Sequence, residues 1–325
     1  MTLPEPEHFD PATTGHIWVE RAALLAEQGP AWAETHALRP AARDTVRVGV
    51  FGIDAQVTFC HPEGGLFVPG SVEDVGRAVA FAYRNLDRIT GFVMSLDTHE
   101  IHQIFHPAFW RDASGRPPAP FTTISAAEVA SGRWTPRRAR ELVLDYTERL
   151  EASGRYVLTV WPYHGLLGGI SHALMPALSE AVLFHGFARD TAPVLVTKGR
   201  TPLTEMYSVL APEVREAGGR TLGGFDEALF DHLMGYDELY VFGEASSHCV
   251  LATLEDLRER MAEAGEPLDK IIILEDAMSP VTPPPLEPLP PELDFPEVAR
   301  TRIQALVDAG MRRGRTTDRV GDARS

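Results

Sequence analysis

The sequence predicts an α/β protein with a three-layer, doubly wound parallel sheet in a single domain. Short apolar runs of four to nine residues alternate along the chain with longer segments of helical spacing. The runs are apolar on consecutive residues, which is typical of strands that are buried on both faces. With 325 residues and 44% hydrophobic content, the chain is long enough to form one large domain of this kind.

Each element is predicted from its own local pattern. In the helix expected at 72–86, Val75, Ala78, Val79 and Ala82 fall on one face. The strands are expected at 46–54, 91–97, 156–161, 193–198, 239–242 and 270–274. The other helices are expected at 136–150, 171–187, 225–234, 250–264 and 296–311.

Several segments lie outside this alternation, and they divide the chain into a core domain and additions. The core domain is expected at 46–314, preceded by an N-terminal extension, 1–45, with helix at 17–28 and 31–38. Two inserts are expected: a long loop at 107–135 and a proline-rich loop at 280–296. The last residues, 315–325, are expected to form a disordered tail. Each insert would cover the site, form a contact between subunits, or lie on the surface without a further role.

Composition excludes several classes of partner. The net charge of −16 argues against nucleic acid and against anionic membranes, and no apolar run reaches the length of a membrane span. The two cysteines fit a reducing compartment, and the N-terminus lacks the features of a signal peptide. We therefore expect a cytoplasmic protein. A homo-oligomer and a small-molecule substrate are further expectations, which do not follow from composition.

Polar side chains stand at the carboxyl ends of five predicted strands. Because ligands of open parallel sheets bind beyond those ends, we expect these side chains to form one site. They are Asp54, Asp97 with His99, His164, Lys198 and Cys249.

Three of these residues have the chemistry of a nucleophilic site. Cys249 lies at a strand-to-helix turn, where free N–H groups and the helix dipole favour the thiolate. Asp54 would take the thiol proton and pass it to a leaving amine, and Lys198 would lower the pKa of the thiol. Taken singly, each has a structural alternative: an inert core cysteine, a helix cap and a solvated turn residue.

The remaining residues suit a metal ion. Asp97 and His99 are alternate residues of a strand end, and the distant His164 would close the site. Two imidazoles and one carboxylate suit zinc, with iron or manganese as alternatives. His106 is a further possible ligand, whereas His102 is expected in a surface loop.

The motifs together resemble the nicotinamidase branch of the isochorismatase-like cysteine hydrolases, over residues 46–278. The matching stretches are Phe51-Gly-Ile-Asp-Ala-Gln-Val-Thr-Phe-Cys60, Leu96-Asp-Thr-His99, Trp161-Pro-Tyr-His164, Thr197-Lys-Gly199, Tyr207-Ser208 and Gly243-Glu-Ala-Ser-Ser-His-Cys-Val250.

The resemblance implies roles for these residues. Asp54 would be the base, Lys198 its electrostatic partner and Cys249 the nucleophile. The N–H groups of Ala245 and Cys249 would form the oxyanion hole, with a cis peptide bond between Glu244 and Ala245.

The same resemblance implies the ligands. Phe59 and Trp161 would hold the substrate ring between them, and a divalent metal, zinc in the first place, would be the cofactor. The implied reaction is hydrolysis of a primary carboxamide through a thioester on Cys249. Nicotinamide is the best candidate, which implies a role in NAD metabolism.

Two departures from the family pattern keep other functions open. Ser246-Ser247-His248-Cys249 replaces the usual Thr-Asp-His-Cys, and Leu166-Leu-Gly-Gly-Ile170 replaces Gly-Thr-x-Gly-Ala near the expected substrate position. A hydrolase of another amide, a ureide or an N-carbamoyl compound, with or without metal, is the first alternative. A non-catalytic binding protein of the same fold is the second.

Overall fold

A six-stranded sheet, parallel throughout, forms the centre of the molecule in a computed structural model that describes residues 2–283 and 287–321. The strands are β1 (Val48–Ile53), β2 (Gly91–Asp97), β3 (Val194–Lys198), β4 (Glu238–Gly243), β5 (Ile271–Leu274) and β6 (Arg312–Gly314). Every residue of β1, β4 and β5 is buried, as the consecutive apolar runs predict.

The strand order is β6-β5-β4-β1-β2-β3, so the chain builds outward from β1 first in one direction and then in the other. The neighbours β1 and β4 therefore flank the point where the order reverses, which is where doubly wound sheets bind their ligands. Asp54 directly follows β1, and the turn that carries Cys249 follows β4. The predicted α/β doubly wound fold is confirmed.

Helices cover the sheet in two groups. The helices are α1 (Ala22–Thr35), α2 (Val57–Cys60), α3 (Ser71–Arg84), α4 (Ala126–Ser131), α5 (Arg140–Ser153), α6 (Pro176–Arg189), α7 (Glu227–Met234), α8 (Cys249–Ala264) and α9 (Phe295–Asp308). One group contains α1, α3 and α6, and the other contains α8 and α9. The predicted apolar face of α3 is buried as expected. None of the helices in the described ranges is long and apolar enough to span a membrane.

One predicted strand is wrong. Residues 156–161 do not join the sheet. Instead they run beside the insert, where Thr159 forms an isolated bridge with Thr123 and the Ile124 N–H donates to the carbonyl of Leu158 (2.9 Å). An apolar run indicates burial but not its hydrogen-bonding partner, and here the insert supplies that partner.

The additions to the core are more ordered than predicted. The insert contains α4, and its Trp110 side chain is fully buried. The tail is not disordered over 315–321: Val320 is buried and its N–H donates to Asn85 Oδ1 (3.0 Å), while residues 322–325 lie outside the described ranges.

The strand β6 was not predicted, because its Arg312–Gly314 sequence is polar. The two helices expected in the N-terminal extension are one helix, α1, which includes Pro30.

Candidate active site

The three residues predicted to form the nucleophilic site lie together at the carboxyl edge of the sheet. Lys198 is the last residue of β3, and its Nζ lies 3.1 Å from Asp54 Oδ2 and 3.6 Å from Cys249 Sγ. All three side chains are buried: Asp54 is fully buried, Lys198 is 2% exposed and Cys249 is 7% exposed. The structural alternatives of a solvated lysine and a helix-capping aspartate do not fit this arrangement.

Lys198 also connects the nucleophile to the predicted metal ligands. Its Nζ donates to Asp97 Oδ1 (2.9 Å) and to the carbonyl of Met206 (2.9 Å). Burial opposes its charged form, but Asp54, Asp97 and Cys249 together raise the pKa of Lys198 well above its usual value. The ammonium is therefore a fixed positive charge between two carboxylates and the sulfur.

Asp54 is held by a serine on the neighbouring strand. Ser95 Oγ donates to Asp54 Oδ1 (2.5 Å) and accepts from the backbone N–H of Asp54 (3.0 Å). Burial, and also the negative charge of Asp97, raise the pKa of Asp54 although Lys198 and Ser95 act in the opposite direction. A carboxylate with a raised pKa is a better proton acceptor than an ordinary aspartate.

Cys249 differs from the sequence-based expectation in its protonation. It is the first residue of α8, one residue before the predicted start of that helix. Burial raises the pKa of its thiol well above the usual value, and Lys198 only partly offsets this effect. The charges of Asp54 and Asp97 raise it further. The resting group is thus a thiol, and it needs a base to become a nucleophile.

The turn before α8 provides two backbone donors. The peptide bond between Glu244 and Ala245 is cis, as the family resemblance implies. Within the described residues, the N–H groups of Ala245 and Cys249 donate to no other group, whereas the N–H of Ser246 donates to the carbonyl of Ser279 (2.9 Å). These two N–H groups are free for an oxyanion.

The predicted metal ligands also come together. The ligand atoms of Asp97, His99 and His164 lie within 4.8 Å of one another, and all three residues are buried. His99 Nε2 lies 2.7 Å from Asp97 Oδ2, and His164 Nε2 lies 3.5 Å from the same oxygen. Burial would raise the pKa of Asp97, but His99, Lys198 and the hydrogen bond with His164 keep it well below its usual value.

The donor set fits a divalent metal. His164 Nδ1 lies 2.7 Å from the carbonyl of Pro162 and therefore carries a proton, which leaves Nε2 available to a cation. His99 Nε2 lies 2.7 Å from Asp97 Oδ2, and a cation bound by both atoms would take the place of the proton between them. Gly199 has a φ of +76°, and a Cβ there would lie 2.6 Å from His99 Cε1, so glycine is required beside this ring.

His106, the further candidate ligand, lies beside this group but outside it. Its ring centre is 5.5 Å from that of His164 and 5.9 Å from that of His99. Burial, followed by the two neighbouring histidines, lowers the pKa of His106 to about 3. The ring is therefore neutral, with Nδ1 3.0 Å from the carbonyl of Glu100.

The nucleophile faces a narrow cavity of about 30 Å³. Phe59 and Trp161, the predicted substrate-binding residues, both line it, and Trp161 Nε1 donates to Tyr207 Oη (3.0 Å). Val281 of the proline-rich loop also lines the cavity, so this insert contributes to the site. The other lining residues are Leu66, Asp97, His164, Glu205, Met206, Tyr207, Ala245, His248 and Cys249. Among the described residues, none from 166–170 lines the cavity, contrary to expectation.

One positioning residue has no role in the sequence-based prediction. Gln56 Oε1 accepts from the N–H of Asp97 (2.7 Å), and its Nε2 donates to the carbonyl of Asp97 (3.1 Å). This pair of hydrogen bonds ties the segment after β1 to the end of β2. The available signal was a glutamine two residues after Asp54, within a stretch otherwise apolar enough to be buried.

No protein-family model and no curated protein matches the chain. Among solved structures, the nicotinamidase/pyrazinamidase of Acinetobacter baumanii is similar, with 20% identity and a TM-score of 0.53 over 85% of this chain and 99% of that one. The yeast nicotinamidase is 19% identical with a TM-score of 0.53, covering 82% and 98%. A protein from L. infantum in complex with nicotinate is 18% identical with a TM-score of 0.51, covering 85% and 96%. At these identities the resemblance to the nicotinamidase branch is confirmed for the fold: the chain has the isochorismatase-like α/β fold that is seen in these proteins.

Proposed function

We propose that the protein is a cysteine amidohydrolase that cleaves a small primary carboxamide, with nicotinamide as the leading candidate. The observation that carries the proposal is the position of Lys198, whose ammonium contacts Asp54 and Cys249 on one side and Asp97 on the other. A buried lysine in contact with a thiol and two carboxylates has no role in packing a core.

The first half of the reaction follows from the three buried groups. Asp54 takes the proton of the Cys249 thiol, and the sulfur attacks the amide carbon. The oxygen that becomes negative accepts hydrogen bonds from the N–H groups of Ala245 and Cys249. Asp54 then returns the proton to the nitrogen, the C–N bond breaks, and ammonia leaves a thioester on Cys249.

The second half uses the same base. Asp54 takes a proton from a water molecule as its oxygen attacks the thioester carbon, and the C–S bond breaks to release the acid. The proton returns to the sulfur, which restores the thiol. Lys198 keeps its charge throughout, so it stabilises whichever of its neighbours is negative.

A metal ion would be held by Asp97, His99 and His164. It would supply a Lewis acid beside the cavity, able to orient a polar atom of the substrate or a water molecule. Asp97 is shared between this group and Lys198, so the residues of the chain link the two halves of the site.

The test is release of ammonia from nicotinamide by the purified, metal-loaded protein, with mass spectrometry to detect the acyl group on Cys249. Other amides, ureides and N-carbamoyl compounds are assayed in parallel. If none of them is hydrolysed and none acylates Cys249, the protein is not an amidohydrolase, and a binding role on the same fold becomes the better account.

A further inference from the structure

The cavity beside Cys249 contains a carboxyl group that the proposed reaction does not use. Glu205 lies between β3 and α7, is 5% exposed and lines the cavity together with Cys249 and Trp161. Its Oε2 is buried and has no hydrogen-bond partner among the described residues. A buried carboxyl oxygen without a hydrogen-bond partner lowers the stability of the folded protein. This oxygen is therefore available to a ligand.

The backbone holds this side chain in place. The Glu205 N–H donates to Tyr146 Oη (3.0 Å), and its carbonyl accepts from the Glu213 N–H (3.0 Å). Tyr146 is fully buried, so this hydrogen bond does not compete with water. Glu205 is therefore anchored on both sides of its Cα.

The charged groups nearest to Glu205 do not hydrogen-bond its carboxyl. Glu213 is itself a buried carboxyl whose two oxygens have no hydrogen-bond partner among the described residues. Lys198 is bound to Asp54, Asp97 and the Met206 carbonyl, so its ammonium is not the partner of Oε2. Glu205 is also outside the group formed by the three metal ligands. Glu205 lines the cavity, so a substrate bound there is the partner left for its carboxyl.

The rest of the wall explains why one polar group matters. Phe59, Leu66, Trp161 and Val281 offer mainly hydrocarbon surface, which holds a flat ring without distinguishing its atoms. A hydrocarbon ring would leave Oε2 without a partner. A ring that carries a nitrogen, carbonyl or amino group would satisfy it, because a carboxyl accepts a hydrogen bond when ionised and donates one when protonated.

We propose that Glu205 is the specificity-determining residue of this cavity, and that its carboxyl hydrogen-bonds a polar group on the body of the amide. The substrates are then heteroaromatic or otherwise polar carboxamides, and hydrocarbon carboxamides such as benzamide are rejected. This inference rests on the proposed function for its substrate class, but its test does not require turnover. Loss of a single hydrogen bond of this kind corresponds to roughly a tenfold to hundredfold difference in binding.

The experiment measures how well nicotinamide and benzamide protect Cys249 from alkylation by iodoacetamide. It compares the metal-loaded protein with its E205L and E205Q variants. Glutamine keeps the size and the hydrogen bonding without the ionisable group, whereas leucine removes both the hydrogen bonding and the ionisable group. In the unmodified protein we expect nicotinamide to protect at a concentration at least about ten times lower than benzamide. We expect the ratio of the two protecting concentrations, benzamide over nicotinamide, to fall to between about one and about three in E205L. In E205Q we expect most of the ratio to be retained.

Metal content and unfolding temperature are measured for each protein, so that a change in metal binding is not mistaken for a change at Glu205. If E205L does not fold, E205D replaces it, because a carboxyl drawn back by one methylene should give an intermediate ratio. An unchanged ratio in folded, metal-loaded E205L or E205D overturns the proposal, and so does equal protection by both amides in the unmodified protein. Selective protection without ammonia release would instead overturn the proposed function and leave the role of Glu205 intact.

Discussion

Asp54 and Asp97 contact the same lysine, yet their environments drive them in opposite directions. On the nucleophile side, burial raises the pKa of Asp54 despite Lys198. On the metal side, the imidazoles of His99 and His164 outweigh burial and lower the pKa of Asp97. The difference separates two tasks within one buried site: Asp54 can exchange a proton, whereas Asp97 stays ionised and can hold a cation.

The largest expected effect comes from removing the nucleophile. Cys249→Ala should lower kcat/KM for the amide by at least about 10,000-fold, because no other group in the cavity can form the thioester. Ammonia release measures this loss. The matched control is Cys60→Ala at the other buried cysteine, which should keep activity; equal loss in both variants would mean that the effect is one of folding.

On the nucleophile side, Asp54→Asn should lower kcat/KM by about 1,000-fold, since an amide cannot take the thiol proton. In the unmodified protein Asp54 acts as a base only when ionised, and its pKa is raised. Activity should therefore fall as the pH is lowered, through a pKa above that of an ordinary aspartate. The residual activity of Asp54→Asn should lack this acidic limb.

That pH profile is measured with the metal content followed at each pH. An acidic limb that persists unchanged in Asp54→Asn would assign the titration to another group.

On the metal side, Asp97→Asn should bind metal only weakly and lose at least about 100-fold in kcat/KM. Metal per chain, measured by elemental analysis after dialysis, is the direct readout. His185→Gln, at a buried histidine in α6 away from the site, is the control. His106→Gln sharpens the comparison: we expect it to retain metal, and metal loss would make His106 a ligand.

The smallest effect is expected at Ser95. Its hydroxyl lowers the pKa of Asp54, so Ser95→Ala should move the acidic limb to higher pH and lower kcat by less than about tenfold. The free energy of unfolding should fall by about 1–2 kcal/mol, measured by urea denaturation. Thr98→Val, which removes a hydroxyl bonded to the Leu96 carbonyl, should leave the limb in place. A shift in both variants would contradict a specific role for Ser95.

The sequence predicts this site well where chemistry is tied to a strand end. Asp54, Asp97, Lys198 and Cys249 all follow or end strands of the sheet, and parallel strands bring their carboxyl ends to one edge whatever their order. His164 reaches the same edge differently: its loop is fixed to β2 by the His99 N–H, which donates to the Gly165 carbonyl (2.8 Å). The structure places His164 beside Asp97 and His99, but the strand predicted before it, 156–161, does not form.

What could not be predicted depends on burial and on distant partners. The raised pKa of Cys249 results from exclusion of water by segments far apart in the chain, so the local dipole argument gave the wrong sign. The significance of Glu205 likewise lies in the lack of a partner for Oε2, which sequence spacing does not reveal. Homo-oligomer formation and a cytoplasmic location stay predictions.

Lys198 is the last residue of β3, which lies at the edge of the described sheet and pairs there with β2 alone. Leu195 in the same strand is 56% exposed. Edge strands open more readily than central ones, so hydrogen exchange should be faster in β3 than in β1 or β4. Under mild denaturant, the ammonium would then separate from Asp54 and Cys249 before the core unfolds, and activity would disappear ahead of the main unfolding transition.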